Sequence, residues 1–304
     1  MSLNPPLIHQ FNHSYKLFGD ISQPKPKTVL LSESTLPDDY TWPKISIVTP
    51  SFNQGQYLEE TIRSVLSQGY PNLEYIIIDG GSTDGSVEII KRYEHLLTYW
   101  VSEPDRGQSH AINKGFAHST GEIMAWINSD DYYEKGAFQV VANAFLTNST
   151  GWVAGKCYLL EEGGRIRKGK TKPKPVKESW MVSCHYAQQS VFWRRSLWNA
   201  CRGLDETLHY SLDYELWMQF VQIQPFAYWI EQHLAFFRLH NQSKTMTSEI
   251  SFIKENRIIH ERYYARMVNG FMSKAKIWEL GVEKFIKKYW RMFFDYFLPL
   301  IFRS

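Results

Sequence analysis

The residues best placed to do chemistry lie where an apolar run stops at an acidic corner. Ile123 to Ile127 is continuously apolar, and Asn128-Ser129-Asp130-Asp131 follows it directly. The run has the length and composition of a buried strand, which places the carboxylates at the carboxyl end of that strand. Two adjacent carboxylates repel each other, and Mg²⁺ or Mn²⁺ relieves the repulsion through oxygen ligands. The stretch indicates either a metal site that bridges to phosphate or a solvated acidic turn that caps the next helix.

Repeated strand and helix patterns surround this corner. Short apolar strands are predicted at four places: 45–49, 74–78, 99–101 and 123–127. Helical spacing of apolar residues follows each of the first three strands, which favours a doubly wound α/β sheet. Ligands bind such sheets outside the carboxyl ends of the strands. Polar loops fall at that edge each time, at 50–53, 79–86, 103–109 and 128–131. Their convergence predicts one binding site.

Composition limits the class of protein. The 304 residues are 43% hydrophobic and carry a formal net charge of only +3, too balanced for bulk electrostatic binding of nucleic acid. Residues 1–43 are polar and broken by prolines, so we expect an extended leader without the apolar core of a signal peptide. Cys157, Cys184 and Cys201 lack metal-ligand spacing. They fit a reducing, cytoplasmic compartment.

Two common nucleotide-binding motifs are absent from the chain. No G-x-G-x-x-G opens the first helix, which argues against a dinucleotide dehydrogenase. No G-x-x-x-x-G-K-[ST] is present, which argues against a P-loop nucleotidase. The phosphate chemistry indicated by the acidic corner must therefore belong to another class.

Three ordered motifs resemble family 2 glycosyltransferases. They are Pro50-Ser51-Phe52-Asn53, the run from Ile76 to Ser86, and Asn128-Ser129-Asp130-Asp131. The resemblance covers roughly residues 44–245. It implies an inverting, nucleotide-sugar-dependent enzyme that uses Mn²⁺ or Mg²⁺. The implied architecture is a GT-A-type doubly wound mixed or parallel sheet flanked by helices, here with a helical C-terminal extension.

The resemblance also implies roles for residues in the polar loops. The carboxylate of Asp79 would read the nucleoside base, and Asp105 would lie near the ribose and the metal. The other positions implied to bind the nucleotide come from the same loops: Pro50, Phe52, Asn53, Gly80, Ser82 and Asn128. From the residues alone, Asp79 has a simpler alternative as the cap of the following helix, with the glycines only turning the chain.

The acidic corner departs from the family pattern. Asp130 matches the metal-ligating second Asp of the D-x-D motif, but the first position is Asn128. An amide oxygen can accept a bond from ribose or from metal-bound water, yet it brings no charge. We therefore predict a weaker or more water-mediated metal site, with Asp131 helping to supply the missing charge.

Inverting transfer needs a carboxylate that takes the proton of the acceptor hydroxyl. Asp213, at a predicted helix N-terminus well separated from the metal corner, suits that role. It also matches an acidic position of the family, although Leu212 stands where a Glu is frequent. A plain helix-terminal carboxylate is the competing interpretation. Glu215 and then Asp205 are the next candidates.

A second motif follows a strand-rich aromatic run. His240-Asn241-Gln242-Ser243-Lys244-Thr245 resembles a His-x-x-Ser-Lys-Thr pattern of related enzymes. The resemblance implies that His240 binds the metal or phosphate and that Lys244 contacts phosphate. A single histidine taken alone is more often a structural residue.

The remaining segments divide the chain and leave two alternatives open. We predict a nucleotide-binding half at 44–131, an acceptor half at 132–245 and a helical region at 246–304. The basic stretch 168–177 is either a phosphate-seeking loop or an ordinary solvated one. The basic, aromatic stretch 278–302 either lies peripherally on the inner face of a membrane or packs against protein.

These observations predict transfer of a sugar from a nucleotide-diphosphate sugar to a hydroxyl acceptor. UDP is the default nucleotide, and the acceptor is a saccharide or a lipid-linked molecule of cell-surface polysaccharide or glycolipid synthesis. A catalytically silent nucleotide-sugar-binding module is the alternative, because Asn128 and Leu212 replace acids. A sugar nucleotidyltransferase is a third, although its glycine-rich, basic loop is absent after the first strand.

Overall fold

The amino-terminal half of the sheet is parallel. The computed structural model describes residues 41–169, 184 and 186–268. Four strands lie in the order β3-β2-β1-β4: β1 Ile45–Ser51, β2 Leu73–Asp79, β3 Tyr99–Ser102 and β4 Ile123–Trp126. Three helices connect them: α1 Gly55–Leu66, α2 Ser86–Tyr93 and α3 Gln108–Ala117. Ser51 pairs with Asp79, and Asp79 pairs with Ser102, so the strands end at one edge. The predicted alternation is confirmed.

The second half of the sheet is mostly antiparallel. Its strands are β5 Tyr132–Tyr133, β6 Trp152–Glu161, β7 Ile166–Lys168, β8 Val191–Arg194 and β9 Tyr228–Leu239. Strand β8 pairs antiparallel with β4 and β6, whereas β6 and β9 run parallel. Strands β6 and β7 form a hairpin, which Gly163 and Gly164 close at positive φ of 89° and 84°. The sheet is mixed, as the resemblance implied.

Five further helices follow the parallel half. They are α4 Ala137–Thr147, α5 Arg195–Asn199, α6 Leu212–Ile223, α7 Lys244–Thr247 and α8 Glu249–Val268. Ile259 and Tyr263 of α8 are buried, and the Tyr263 hydroxyl donates a 2.6 Å hydrogen bond to Glu215 of α6. Helix α8 thus packs on α6 although it lies beyond the predicted boundary at residue 245.

Tryptophans fill the core where the sheet meets α6. Trp126, Trp152, Trp193 and Trp217 are at most 1% exposed. The ring of Trp217 lies 5.9 Å from that of Trp126 and 5.9 Å from that of Trp152. Burial of each such ring contributes about 2–3 kcal/mol by the usual area relation. These rings stabilise the fold.

Several predictions fall on other parts of the chain. The leader to residue 40, the lysines from 170 to 177 and the stretch 278–302 lie outside the described residues. Within the described ranges, no helix combines the length and apolar character that crossing a bilayer requires.

Candidate active site

A cleft of about 910 Å³ opens at the carboxyl edge of the parallel strands. Eight of the predicted site residues line it: Pro50, Phe52, Gly80, Asp105, Asn128, Asp130, Asp213 and Lys244. They come from four strand-end loops, from α6 and from α7, so the fold gathers residues that are up to 194 positions apart, from Pro50 to Lys244. Asn53, Asp79, Ser82 and His240 are not among the lining residues.

Asp79 faces into the protein, and its predicted contact with a base stays a prediction. The residue is fully buried. Its carboxylate accepts hydrogen bonds from the hydroxyls of Ser51, Ser82 and Ser102, at 2.9, 2.6 and 2.7 Å. It also accepts the backbone N–H groups of Gly81 and Ser82. Both oxygens are thus committed to holding the loop after β2. The alternative considered from the sequence, a cap of the following helix, is not formed, because α2 begins after Gly85 and has no side-chain cap hydrogen bond.

Asn53 and Ser82 join two loops instead of lining the cleft. Asn53 has a positive φ of 51°, and its side-chain oxygen accepts the Thr83 N–H at 2.9 Å. Its own N–H donates to the Ser82 hydroxyl oxygen at 2.8 Å. These bonds brace the turn that presents the neighbouring Phe52, which is 59% exposed. Asn53 and Ser82 thus support the loops in this structure, and their predicted direct nucleotide contacts stay a prediction.

Gly80 forms the narrow floor between Phe52 and Asp105. A Cβ atom at this position would lie 2.8 Å from Asp105 Oδ2 and 3.3 Å from the Phe52 ring. Asp105 is held in turn by the Gly107 N–H, which donates to Oδ1 at 2.7 Å. The absence of a side chain at Gly80 therefore lets the Asp105 carboxylate and the exposed Phe52 ring pack directly against the backbone of this loop.

Asp130 and His240 meet at the acidic corner. His240 Nε2 lies 3.0 Å from Asp130 Oδ2, although the residues are 110 positions apart. His240 is 3% exposed, and its ring packs 4.8 Å from that of Tyr57. Its Nδ1 is buried and makes no hydrogen bond within the described part of the chain. The carboxylate thus sits on the cleft surface with the imidazole directly beneath it.

Asp131 turns away from the cleft, which corrects the prediction that it supplies charge there. It is 1% exposed, and it accepts hydrogen bonds from Gln189 Nε2 at 2.7 Å and from the Arg238 N–H at 2.9 Å. Burial raises its pKa well above the usual range, and the charge of Asp130 raises it further. Asn128 Nδ2 lies 3.2 Å from its Oδ2. Asp131 therefore stabilises the acidic corner from the protein interior.

A polar chain links Asn128 to Lys244 through Gln108. Gln108 Nε2 donates to Asn128 Oδ1 at 2.7 Å, and Lys244 Nζ donates to Gln108 Oε1 at 2.7 Å. Lys244 also donates to the His209 carbonyl at 2.7 Å. The cleft walls desolvate the ammonium and lower the pKa of Lys244, while Glu255, Asp130 and Asp213 act in the opposite direction. Gln108 was missed from the sequence, although its place as the first residue of a helix after a strand-end loop is a usable signal.

Asp130 and His240 fit a divalent cation that takes its remaining ligands from elsewhere. The described residues contain no group of three or more His, Cys, Asp or Glu arranged for a metal. Mg²⁺ and Mn²⁺ sites that act on phosphates commonly use one or two protein ligands, with phosphate oxygens and water completing the shell. The cleft-facing carboxylate and the uncharged Asn128 match such a sparse site.

Of the three candidate bases, Asp213 alone lines the cleft. Glu215 is fully buried and accepts hydrogen bonds from Tyr263 at 2.6 Å and from Arg262 at 3.1 Å. Asp205 forms an ion pair with the same Arg262 at 2.8 Å. Glu215 and Asp205, the second and third candidates, therefore have structural roles, because their carboxylates bind side chains of α8.

Helix α8 completes the wall beside Asp213. The Glu255 carboxylate accepts three consecutive backbone N–H groups, those of residues 209, 210 and 211, at 2.8, 2.8 and 2.7 Å. Phe252 and Asn256, on the same side of the helix, line the cleft. No local pattern in the sequence marked these residues, since their role depends on packing against a loop more than 40 positions earlier.

Comparison with known proteins identifies the family. A family model described as glycosyl transferase family 2 matches residues 46–201, just over half of the chain. The chain belongs to family 2 of the glycosyltransferases. It is accordingly a glycosyltransferase, which sets aside the nucleotidyltransferase alternative.

Three curated relatives resemble this glycosyltransferase over between 41% and 80% of its length. An uncharacterized glycosyltransferase of Rickettsia typhi is 26% identical over 80% of this chain and 76% of its own. Chondroitin synthase of Escherichia coli is 25% identical over 80% of this chain, which spans only 34% of that larger protein. TuaG of Bacillus subtilis, a putative teichuronic acid biosynthesis glycosyltransferase, is 38% identical over 41% of this chain and 52% of its own.

Two solved structures share the fold. S. aureus TarS 1–349 in complex with UDP-GlcNAc aligns with a TM-score of 0.58 at 16% identity, over 79% of this chain and 71% of its own. The mannosyltransferase PcManGT of Pyrobaculum calidifontis, in complex with GDP-Man and Mn²⁺, aligns with a TM-score of 0.53 at 18% identity, over 79% and 68%. Both likenesses support the GT-A architecture of the sheet.

Proposed function

We propose that this glycosyltransferase moves a sugar, with inversion, from a nucleotide-diphosphate sugar to a hydroxyl of a saccharide or lipid-linked acceptor. UDP is the proposed nucleotide, and cell-surface polysaccharide or glycolipid synthesis is the proposed setting. The names of two relatives, a chondroitin synthase and a teichuronic acid glycosyltransferase, support the polysaccharide setting.

The observation that carries the proposal is that Lys244, Asp130 and Asp213 all line the same cleft. Three loops and helices that are far apart in sequence thus bring one ammonium and two carboxylates to one site. A diphosphate needs cations around its oxygens, and the acceptor needs a separate base. Asp130 with His240 would hold the cation, Lys244 would contact phosphate, and Asp213 would take the proton of the hydroxyl.

The proposed transfer is a single displacement. Asp213 takes the proton of the acceptor hydroxyl as the hydroxyl oxygen forms its bond to the anomeric carbon. The bond from that carbon to the phosphate oxygen breaks on the opposite face, and its electron pair leaves with the nucleoside diphosphate. Lys244 stabilises the charge that develops on the leaving group. A bound Mn²⁺ or Mg²⁺ would neutralise part of the same charge as a Lewis acid.

The nucleotide end of the cleft fits a base and a ribose. Phe52 offers an exposed ring on the cleft wall beside Gly80, and Asp105 offers carboxylate oxygens of the kind that bind ribose hydroxyls. TarS in complex with UDP-GlcNAc supports UDP, while the GDP-Man complex of PcManGT keeps GDP among the donors to be tested.

Donor binding is the direct test. Calorimetry of the purified protein with UDP-, dTDP- and GDP-sugars, in Mn²⁺, Mg²⁺ or EDTA, should show metal-dependent binding of one nucleotide class. Asp130→Ala should abolish the metal dependence, whereas Glu88→Ala, which removes an exposed carboxylate on α2, should leave it intact. A folded protein that binds no member of the panel would overturn the proposed function.

We further propose a cytoplasmic location with peripheral contact at the inner face of the membrane through residues 278–302, whose sequence mixes lysines with aromatic residues. Flotation of the full chain with vesicles containing anionic lipid should be reduced when Lys287 and Lys288 are both changed to Glu. Equal failure of both proteins to float would reject the membrane contact.

A further inference from the structure

An aromatic pair forms the wall of the cleft beside Asp213. The ring centroids of Tyr210 and Phe252 lie 5.4 Å apart with an interplanar angle of 69°. Tyr210 precedes α6 and Phe252 belongs to α8, and both are half-buried and line the cleft. Neither ring belongs to the tryptophan core, so their apolar surfaces face space that a ligand can enter.

An amide stands one helical turn beyond this pair. Asn256 is four residues after Phe252, which places both on the same side of α8. Its side chain is half-buried and lines the cleft, and within the described ranges no hydrogen bond engages its amide. A free donor and acceptor therefore stand next to two aromatic rings.

The wall is rigid. Glu255, between Phe252 and Asn256 in sequence, fixes the loop that carries Tyr210 by accepting its N–H and those of both neighbours. Buried Ile259 and Tyr263 anchor the same helix to the core. A preformed surface of this kind binds without the entropy cost of ordering side chains.

The position of Tyr210 connects this wall to the reacting groups. Lys244 Nζ lies 5.9 Å from the Tyr210 ring centroid, and Asp213 follows Tyr210 by three residues. Phe52, Gly80 and Asp105 line the nucleotide end through the loops after β1, β2 and β3. The Tyr210–Phe252 wall therefore borders Lys244, the proposed phosphate contact, and Asp213, the proposed general base. It uses no residue assigned to the nucleotide.

We propose that Tyr210, Phe252 and Asn256 form the acceptor subsite and bind a pyranose ring of a saccharide. The C–H face of a pyranose is apolar and packs on aromatic rings, while an amide donates to one ring hydroxyl and accepts from another. The inference rests on the proposed function, which it deepens by naming the acceptor class. It also gives α8, which lies outside the residues matched by the family model, a direct part in substrate recognition.

Acceptor kinetics test the proposal on the full chain. The probes are p-nitrophenyl pyranosides of the common hexoses and N-acetylhexosamines, used with the donor found by calorimetry. Phe252→Ala and Asn256→Ala should each raise the KM for the accepted glycoside about ten-fold, as expected for one lost ring contact or one lost pair of hydrogen bonds. Donor KM, metal dependence and slow donor hydrolysis by water should stay unchanged.

A matched control comes from the exposed side of the same helix. Ile253 is 57% exposed, and Ile253→Ala should leave the acceptor KM as in the wild type. Phe252→Tyr, which keeps the ring, should restore most of the affinity lost in Phe252→Ala. This pattern separates a ligand contact from a general loosening of α8, because loosening would also slow donor hydrolysis.

Three results would overturn the subsite. An unchanged acceptor KM in both Phe252→Ala and Asn256→Ala would show that these residues do not bind the acceptor. A raised donor KM in these variants would show that the rings contact the donor instead. Transfer to a lipid-linked acceptor but to no glycoside of the panel rejects the saccharide class. Each of these results requires intact donor binding, so they are distinct from failure of the proposed function, in which the wild type binds no nucleotide-sugar.

Discussion

Gln108 Nε2 donates a 2.7 Å hydrogen bond to Asn128 Oδ1, so the amide oxygen at the acidic corner is already engaged by a protein partner. The same Gln108 accepts from Lys244 through its oxygen. Asn128, at the first position of the D-x-D motif, is thus tied through Gln108 to Lys244, the proposed phosphate contact. Asn128 carries no charge, but its amide oxygen binds Gln108, which in turn accepts a hydrogen bond from Lys244 and orients it.

Asn128→Asp should strengthen the metal site at a cost in stability. The new carboxylate can still accept from Gln108, and its charge attracts a cation, so half-maximal donor binding should need several-fold less Mn²⁺. It can no longer donate to buried Asp131, which should lower the free energy of unfolding by about 1–3 kcal/mol. Metal titration by calorimetry and urea unfolding measure the two effects. Asn128→Ala is the control, and tighter Mn²⁺ binding in that variant would contradict the role of charge.

Asp213→Asn should abolish transfer while leaving donor binding intact. An amide cannot take the acceptor proton, so kcat should fall by about 10²–10⁴. The donor Kd should change less than two-fold because Asp213 is not among the groups assigned to the nucleotide. If the protein were a catalytically silent module, the wild type itself would show no turnover. Retention of wild-type kcat in Asp213→Asn would mean that another group is the base.

Glu255→Ala should destabilise the protein and impair the acceptor wall together. Three backbone N–H groups lose their acceptor, and we expect a loss of about 2–4 kcal/mol in the free energy of unfolding. Glu255→Gln keeps one acceptor oxygen and should lose about half as much. Urea unfolding followed by fluorescence measures both. Arg257→Ala, on the exposed side of α8, serves as the control, and an equal loss there would contradict the assigned clamp.

Glu74 should make stability depend on pH at the amino-terminal edge of the sheet. Burial raises the pKa of Glu74, but hydrogen bonds from Ser46, Thr120 and Gly121 outweigh it, and the net shift is downward from 4.5. A lowered folded-state pKa contributes stability above that ordinary value, and the contribution disappears as pH falls through the folded-state value. Glu74→Gln should therefore be destabilised at pH 7 and approach the wild type at low pH. Unfolding midpoints measured from pH 7 down to pH 3 test this, and a difference that does not shrink would contradict it.

The sequence by itself determined the elements and the edge at which the site lies. Short apolar runs predicted that β1, β2 and β4 are buried strands. The polar loops that follow these strands indicated the edge of the sheet at which a ligand binds. These signals are local, because strand length, helix spacing and turn residues depend on neighbours within a few positions.

Tertiary structure alone decided which side chains face the cleft. Asp79 and Asp131 both end strand-like runs, yet both turn inward because hydroxyl, amide and N–H donors from distant loops surround them. Asp130 reaches the cleft with His240 beneath it, and α8 brings Phe252 to the same place. Such outcomes depend on partners 23 to 110 positions away, from Ser102 to His240. A carboxylate is inert or available according to the donors that the completed fold places around it, and no local pattern encodes them.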